Sequence, residues 1–226
     1  MNIKRLFLGC LATLGLSMTG SSQTNNSTII NQIKAQKTMD FFEVLKNRKS
    51  VRAYQDKEVE AEKLKAVVEA GNMAAGTPTA GPRYFNVITD QALIRRISEK
   101  TKEMMRQSPI ERARQVGNNP KYDPTFHAPA LVFVSVKGDL PEMMAGIASQ
   151  NAAAAGENML LAAKALGLGS CYVGSPTMAL SDPEIRRAAQ IPEGVRPVCT
   201  ILLGYAQDDS PHASRPENPE NIIYVK

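Results

Sequence analysis

Apolar positions first fall into helical register just after Asp40. Phe41, Phe42, Val44 and Leu45 share a side there, and Asp40 can cap the helix with Glu43 reaching back to it. A second helix is predicted from about Glu60, with Leu64, Val67 and Val68 on one side and Glu60 and Glu62 suiting the dipole of its first turn. Gly76-Thr77-Pro78-Thr79-Ala80-Gly81-Pro82 is punctuated by glycine and proline and reads as a loop. A short strand over Tyr84–Thr89 precedes a helix opening at Asp90, with Leu93, Ile94, Ile97, Met104 and Met105 at helical spacing. Ser108 to Phe126 is polar and broken by prolines, as expected of an excursion or lid. Ala130–Val136 is continuously apolar and predicts a central strand buried on both faces.

A long helix is predicted from Glu142 to Leu166. Its many alanines (Ala145, Ala148, Ala152 to Ala155, Ala162, Ala163, Ala165) suit the middle of a bundle or a subunit interface, and Gly167 and Gly169 end it. Ser170–Val173 reads as a strand, Ser181-x-x-Glu184 as the capping box of a short helix carrying Ile185, and Val198–Tyr205 as a further buried strand. The tail from Ala206 to Lys226 ends in apolar Ile222-Ile223-Tyr224-Val225, which could extend the chain's own sheet or a partner's. This order of elements predicts an α+β domain with a mixed sheet and helices packed against it.

Composition narrows the classes without naming a function. The 226 residues are 43% hydrophobic and 22% charged, ordinary globular usage that excludes a disordered chain, a collagen or a disulfide scaffold. Met1 to Ser22 reads as a secretory signal peptide: Lys4 and Arg5 form its basic start, Leu6 to Met18 its short apolar run, and Gly20-Ser21-Ser22 its cleavage site. A polar linker over 23–37 follows, and the folded domain spans 38–226. The expected address is export, with the periplasm as destination; Cys10 follows too little apolar sequence to favour a lipid anchor. The apolar run is too short to span a bilayer, so no stable membrane insertion is expected. The net charge of +5 falls to about +3 without Lys4 and Arg5. With no tryptophan and 5% aromatic residues, a nucleic-acid partner is not expected.

Candidate chemistry is sparse. The mature chain keeps Cys171 and Cys199, both in strand-like apolar runs and read as buried thiols. His127 and His212 stand alone, so no metal site is expected. Arg48-Lys49-Ser50-Val51-Arg52, directly after the first helix, offers two guanidiniums, an ammonium and a hydroxyl. Alone it fits either a phosphate clamp or a solvated basic face at a helix C-terminus.

Four blocks in order decide between these. Phe42-x-x-x-x-x-Arg48-Lys49-Ser50-Val51-Arg52 resembles the Arg-Arg-Ser-x-Arg opening of the FMN-dependent nitroreductase family. Ala74-Ala75-Gly76-Thr77-Pro78-Thr79-Ala80-Gly81 resembles its Ala-Pro-Ser-Ala loop. The segment from Asn158 through Leu166-Gly167-Leu168-Gly169-Ser170 to Gly174 resembles its Asn-x-x-Leu-Ala-Ala-x-x-Leu-Gly-Leu-Gly-Ser helix and strand. Ile201-Leu202-Leu203-Gly204-Tyr205 followed by Arg215-Pro216 completes the set. The resemblance covers Asp40 to Val225.

It implies a nitroreductase-like fold and a domain-swapped homodimer with FMN at the subunit interface. Arg48 and Ser50 would hold the FMN phosphate, Lys49 beside them and Arg215 closing the site. Arg52 would sit at the pyrimidine edge of the flavin, where positive charge stabilises the reduced ring. Pro78, Thr79 and Ala80 would belong to the cofactor site, the last two lining the ring, and Val173 and Gly174 would present backbone groups to N5. Where the family continues with Asn-x-Gln-Pro-Trp, this chain has Gly81-Pro82-Arg83-Tyr84-Phe85, so flavin-edge amides are missing and Arg83 replaces one.

The implied function is an oxidoreductase passing hydride from NAD(P)H through FMN to a nitroaromatic, quinone or similar small acceptor, in ping-pong order. No catalytic residue is named, because the flavin carries the chemistry. Tyr122 and His127 are candidates for the substrate side or ordinary loop residues. The alternative is an exported protein that binds or holds flavin without catalysis; a specialised reduction such as dehalogenation would vary through the Ser108–Phe126 excursion.

Overall fold

A computed structural model describes residues 39–207 and 219–225; the expected leader, linker and Arg215 lie outside the described residues. The elements are α1 (Phe41–Asn47), α2 (Ala61–Asn72), β1 (Arg83–Ile88), α3 (Gln91–Arg106), α4 (Glu111–Asn118), β2 (Ala130–Lys137), α5 (Glu142–Ala165), β3 (Gly169–Val173), α6 (Pro183–Ala188) and β4 (Val195–Gly204). Short 3-10 turns lie at Pro78–Ala80, Ser175–Ser181 and Pro219–Asn221.

The two least polar runs, β2 and β4, pair at the centre of a four-stranded sheet ordered β1-β2-β4-β3. Every residue of β2 except Lys137 is buried, as a strand covered on both faces must be. The four strands pair antiparallel. Among the described residues, the sheet is mixed at its β3 edge, where Ser50 forms a parallel bridge with Ser170. Helices cover both faces and divide the core. One face carries Leu131, Phe133, Cys171 and Leu202 against Leu93, Ile94 and Ile97 of α3 and Leu180 and Ile185. The other carries Val132, Val134, Cys199, Ile201 and Leu203 against Leu64 and Val67 of α2 and Ala148, Ala152, Met159 and Ala163 of α5. Cys171 and Cys199 thus lie on opposite faces, with the sheet between them.

Helix starts follow local polar chemistry. Asp40 Oδ1 accepts from Phe42 N at 2.9 Å, while the Glu43 carboxylate turns to the Asn47 amide instead of reaching back. Asp90 caps α3 through Ala92 N and Leu93 N. The box expected at Ser181 is shifted by one residue. Asp182 Oδ1 accepts from Glu184 N and Ile185 N, and the Ser181 hydroxyl donates to Met178 O. A carboxylate caps as well as a hydroxyl, so the neighbour in better position takes the role.

Two expectations change. The polar excursion after Ser108 contains the helix α4, seated on α3. It is only eight residues long, too short to be stable alone, and tertiary packing supports it. In α1 only Val44 is buried; Phe41 and Phe42 remain 60% and 75% exposed and meet each other edge-on at 5.7 Å. On α5, Met143 is 75% exposed, and Ala153 and Ala154 also face outwards.

Candidate functional site

The basic segment is laid along the β3 edge. Arg48 ends α1 in extended conformation, with its N–H donating to Val44 O at 2.9 Å. Val51 N donates to Ser170 O at 2.9 Å beside the Ser50–Ser170 bridge. Close packing holds this pairing: a Cβ on Gly169 would lie 2.9 Å from Val51 Cγ2. Alternation then turns Val51 into the core and leaves Ser50 and Arg52 exposed.

Arg48 pairs with Glu157 of α5 at 3.3 Å, the guanidinium side chain 14% exposed. The Arg52 guanidinium lies 5.9 Å from the Phe126 ring centroid, and Tyr122 meets Phe126 edge-on at 5.8 Å. Phe126 thereby brings the end of the excursion to Arg52, with Tyr122 one ring further out. Beneath them, burial pushes the Cys171 thiol up, opposed by Arg52, by its hydrogen bond with Ser50 and by Arg48. A raised, buried thiol beside arginines is a packing group, not a nucleophile.

Val173 and Gly174 close the far end of β3. From Ser170 to Val173 is about 10 Å of extended chain. The Gly174 carbonyl accepts from Thr177 N at 3.1 Å and from Thr177 Oγ1 at 2.7 Å. Both of its lone pairs are then occupied, so the outward group Gly174 can offer is its N–H. A Cβ on Gly174 would meet nothing within 4 Å, so there is open space for a ligand.

Pro78, Thr79 and Ala80 form a separate element seated on α5. Pro78 and Thr79 are exposed, whereas Ala80 is fully buried and can offer a ligand only its backbone. Gly81 follows at φ +80° and ψ 177°, a conformation open almost only to glycine. The loop is clamped by Asn151, which the sequence did not single out, and by Arg83, expected there only as the replacement of a flavin-edge amide. Asn151 accepts from Thr77 N at 3.1 Å and donates to Thr77 O at 3.2 Å. Arg83 donates to Ala74 O at 2.8 Å, Asn72 O at 3.0 Å, Ala75 O at 3.1 Å and Asn151 O at 3.3 Å. Arg83 thus replaces an amide in sequence but turns inward onto the carbonyls ending α2. The one available signal was the unmatched arginine itself.

His127 belongs elsewhere. It lines a 330 Å³ cleft with Tyr54, Lys57, Arg95 and Asp123, apart from the residues above. Phe126 and His127 both take positive φ, 50° and 56°, held by the Asp123 carboxylate, which accepts from Thr125 N, Thr125 Oγ1 and His127 N. Burial raises the Asp123 pKa, but the hydrogen bonds from Ser98 and Thr125 outweigh it and hold the carboxyl below the ordinary range. Among the described residues, no three potential metal ligands gather.

Comparison with known proteins follows the same outline. The profile of the Nitroreductase family matches residues 45–205. A protein of Methanothermobacter thermautotrophicus, provisionally named an NADH dehydrogenase/NAD(P)H nitroreductase, is 29% identical over 171 residues, covering 76% of this chain and 80% of its own. A Bacteroides fragilis nitroreductase solved with bound FMN is 29% identical with a TM-score of 0.74, covering 84% of this chain and all of its own. A nitroreductase from Desulfitobacterium hafniense, 20% identical with a TM-score of 0.72, shares the fold over 83% of this chain.

Proposed function

The chain belongs to the nitroreductase family, and from that premise we propose an FMN-dependent oxidoreductase using NAD(P)H as donor and a nitroaromatic, quinone or similar acceptor. Donor and acceptor occupy one cleft in turn. The observation that carries this reading is the row of groups along β3: Arg48 and Ser50 at one end and the open Gly174 at the other, with Arg52, two residues past Ser50, left for the ring. That spacing suits a phosphate joined to a ring by a five-carbon ribityl chain, and the donors suit the group at each end.

FMN supplies the hydride-accepting and hydride-donating atom. The protein supplies position and field. Arg48 and Ser50 bind phosphate oxygens, with Lys49 adding charge and Arg215 completing the set from the tail. Arg52 holds a positive charge where negative charge develops on reduction. Val173 and Gly174 would present backbone groups to N5, the Gly174 N–H being a donor that the oxidised ring could accept. Pro78 and Thr79 form a wall.

The working form is a homodimer with a flavin site at each side of the seam. Exposed Phe41, Phe42 and Met143, with the small outward Ala153 and Ala154, support a contact through α1 and α5. The exposed Ile222–Val225 tail is the segment exchanged between subunits. Residues 1–22 direct export to the periplasm, and the mature chain begins near Gln23. Sedimentation of the mature chain and fractionation of cells expressing the full chain test these points.

The deciding test is an absorbance spectrum of protein lacking residues 1–22, loaded with FMN, followed by anaerobic NADH and NADPH. Bleaching of the yellow protein supports the proposal, and reoxidation by a nitroaromatic or quinone then identifies the acceptor class. A yellow protein that neither nucleotide bleaches overturns the nicotinamide donor and leaves a flavin-holding role. A protein that takes no FMN overturns the cofactor reading.

A further inference from the structure

Resting on the FMN reading above, we infer that Arg83 and Asn151 are positioning residues for the flavin-facing wall Thr77–Gly81. They act through the loop backbone and touch no ligand themselves. A loop with two prolines and two glycines over 76–82 has few internal means of holding one shape. Internally it has one 3-10 turn, with Ala80 N donating to Thr77 O at 3.1 Å and Gly81 N to Pro78 O at 3.0 Å; the turn is fixed in place from outside. The Arg83 fork ties three carbonyls at and just past the end of α2 (Asn72, Ala74, Ala75) to the Asn151 carbonyl on α5. The Asn151 amide, in a residue only 8% exposed, then pairs with both polar backbone groups of Thr77, as a neighbouring strand would. Beyond that grip, Pro78 N–H is absent by chemistry and Ala80 is anchored in the core, so the exposed Pro78-Thr79 corner is held at both ends.

A planar, always charged guanidinium is the side chain suited to several carbonyls at once; a lysine ammonium is a single point and cannot span them. The α2 dipole adds attraction, because its negative end faces Arg83. The arrangement explains how a chain without the family's amide side chains in this loop can still present a fixed wall: rigidity comes from a half-buried arginine and a buried asparagine behind it.

The experiment compares wild type, R83K, R83M and N151A in protein lacking residues 1–22. Hydrogen exchange of the peptide spanning 76–82 is measured without FMN. FMN affinity is measured by fluorescence quenching, and the visible circular dichroism of bound FMN at saturation reports the ring's surroundings. R83M and N151A should each speed exchange of this peptide and weaken FMN binding by about tenfold or more, and should alter the visible dichroism at saturation. R83K should fall between wild type and R83M, because it keeps charge but not the fork. A lowered Tm with unchanged exchange of this peptide, unchanged affinity and unchanged dichroism would show an ordinary helix-end staple and overturn the inference. A wild type that binds no FMN overturns the proposed function instead, and exchange alone then decides for or against the clamp.

Discussion

Replacing Gly169 by alanine tests the contact that lays the basic segment on β3. The new Cβ would sit 2.9 Å from Val51 Cγ2, 3.0 Å from Cγ1 and 3.1 Å from Cβ. Ordinary carbon contacts are about 3.5–4.0 Å, so the overlap approaches 1 Å. Val51 is 7% exposed and β-branched, so it has little rotamer freedom to escape. The 50–52 backbone must lift, stretching the 2.9 Å bond from Val51 N to Ser170 O. Overpacking and a weakened buried hydrogen bond together cost about 2–4 kcal/mol. For a domain of this size that lowers Tm by about 5–15 °C.

Urea denaturation followed by far-UV circular dichroism measures the loss, with an unchanged slope indicating an intact unfolding reaction. The decisive arm is V51A, which alone leaves a small cavity costing about 2 kcal/mol. In G169A/V51A the two shortest contacts are gone and only the 3.1 Å approach to Cβ remains, so adding G169A to V51A should cost far less than G169A costs in wild type. FMN affinity should follow the same pattern, lost in G169A and largely regained in the pair. Additive losses in stability would refute the claim that Gly169 and Val51 set this spacing.

The remaining predictions follow from single contacts. E157Q removes a carboxylate that shares Arg48 with the incoming phosphate, so FMN should bind about threefold tighter at low salt, read by fluorescence titration; equal or weaker binding contradicts this placement. Asp123 has a lowered pKa, so its stabilisation is complete above the ordinary aspartate range and is lost as pH falls through the folded value. D123N should cost about 2 kcal/mol at neutral pH and flatten the acid limb of the stability curve; a limb as steep as wild type would exclude Asp123 as its source. Cys171 and Cys199 should stay unlinked under oxidising conditions and react with thiol reagents only on unfolding, because burial pushes Cys199 up to about 11 and raises Cys171; a linking disulfide found by non-reducing peptide mapping would contradict the sheet topology.

Much of the architecture was written locally. Asp40 and Asp90 cap helices because their carboxylates reach backbone N–H groups two or three residues on, an interaction needing no distant partner. The ALVFVSV run reads as a strand covered on both sides because it is of strand length, rich in β-branched valine and apolar on both faces. The family was equally legible, because Arg48 to Arg52 and the Gly167-x-Gly169-Ser170 turn are short-range patterns kept in order.

Tertiary structure decided what depends on neighbours far along the chain. Nothing near Asn151 announces that its amide pairs with Thr77, 74 residues away, nor does the sequence around Arg83 reveal that the guanidinium turns inward. The helix α4 was missed because it is short and set among Pro109, Pro120 and Pro124, although Glu111 to Gln115 are good helix formers, and α3 supplies the packing. The outward turn of Phe41 and Phe42 was missed because periodicity marks an apolar face without saying what covers it. Local rules act through backbone hydrogen bonds and alternation, which a sequence states directly. Clamps, opposite sheet faces and exposed apolar faces arise only when distant segments meet, and that meeting is fixed by packing.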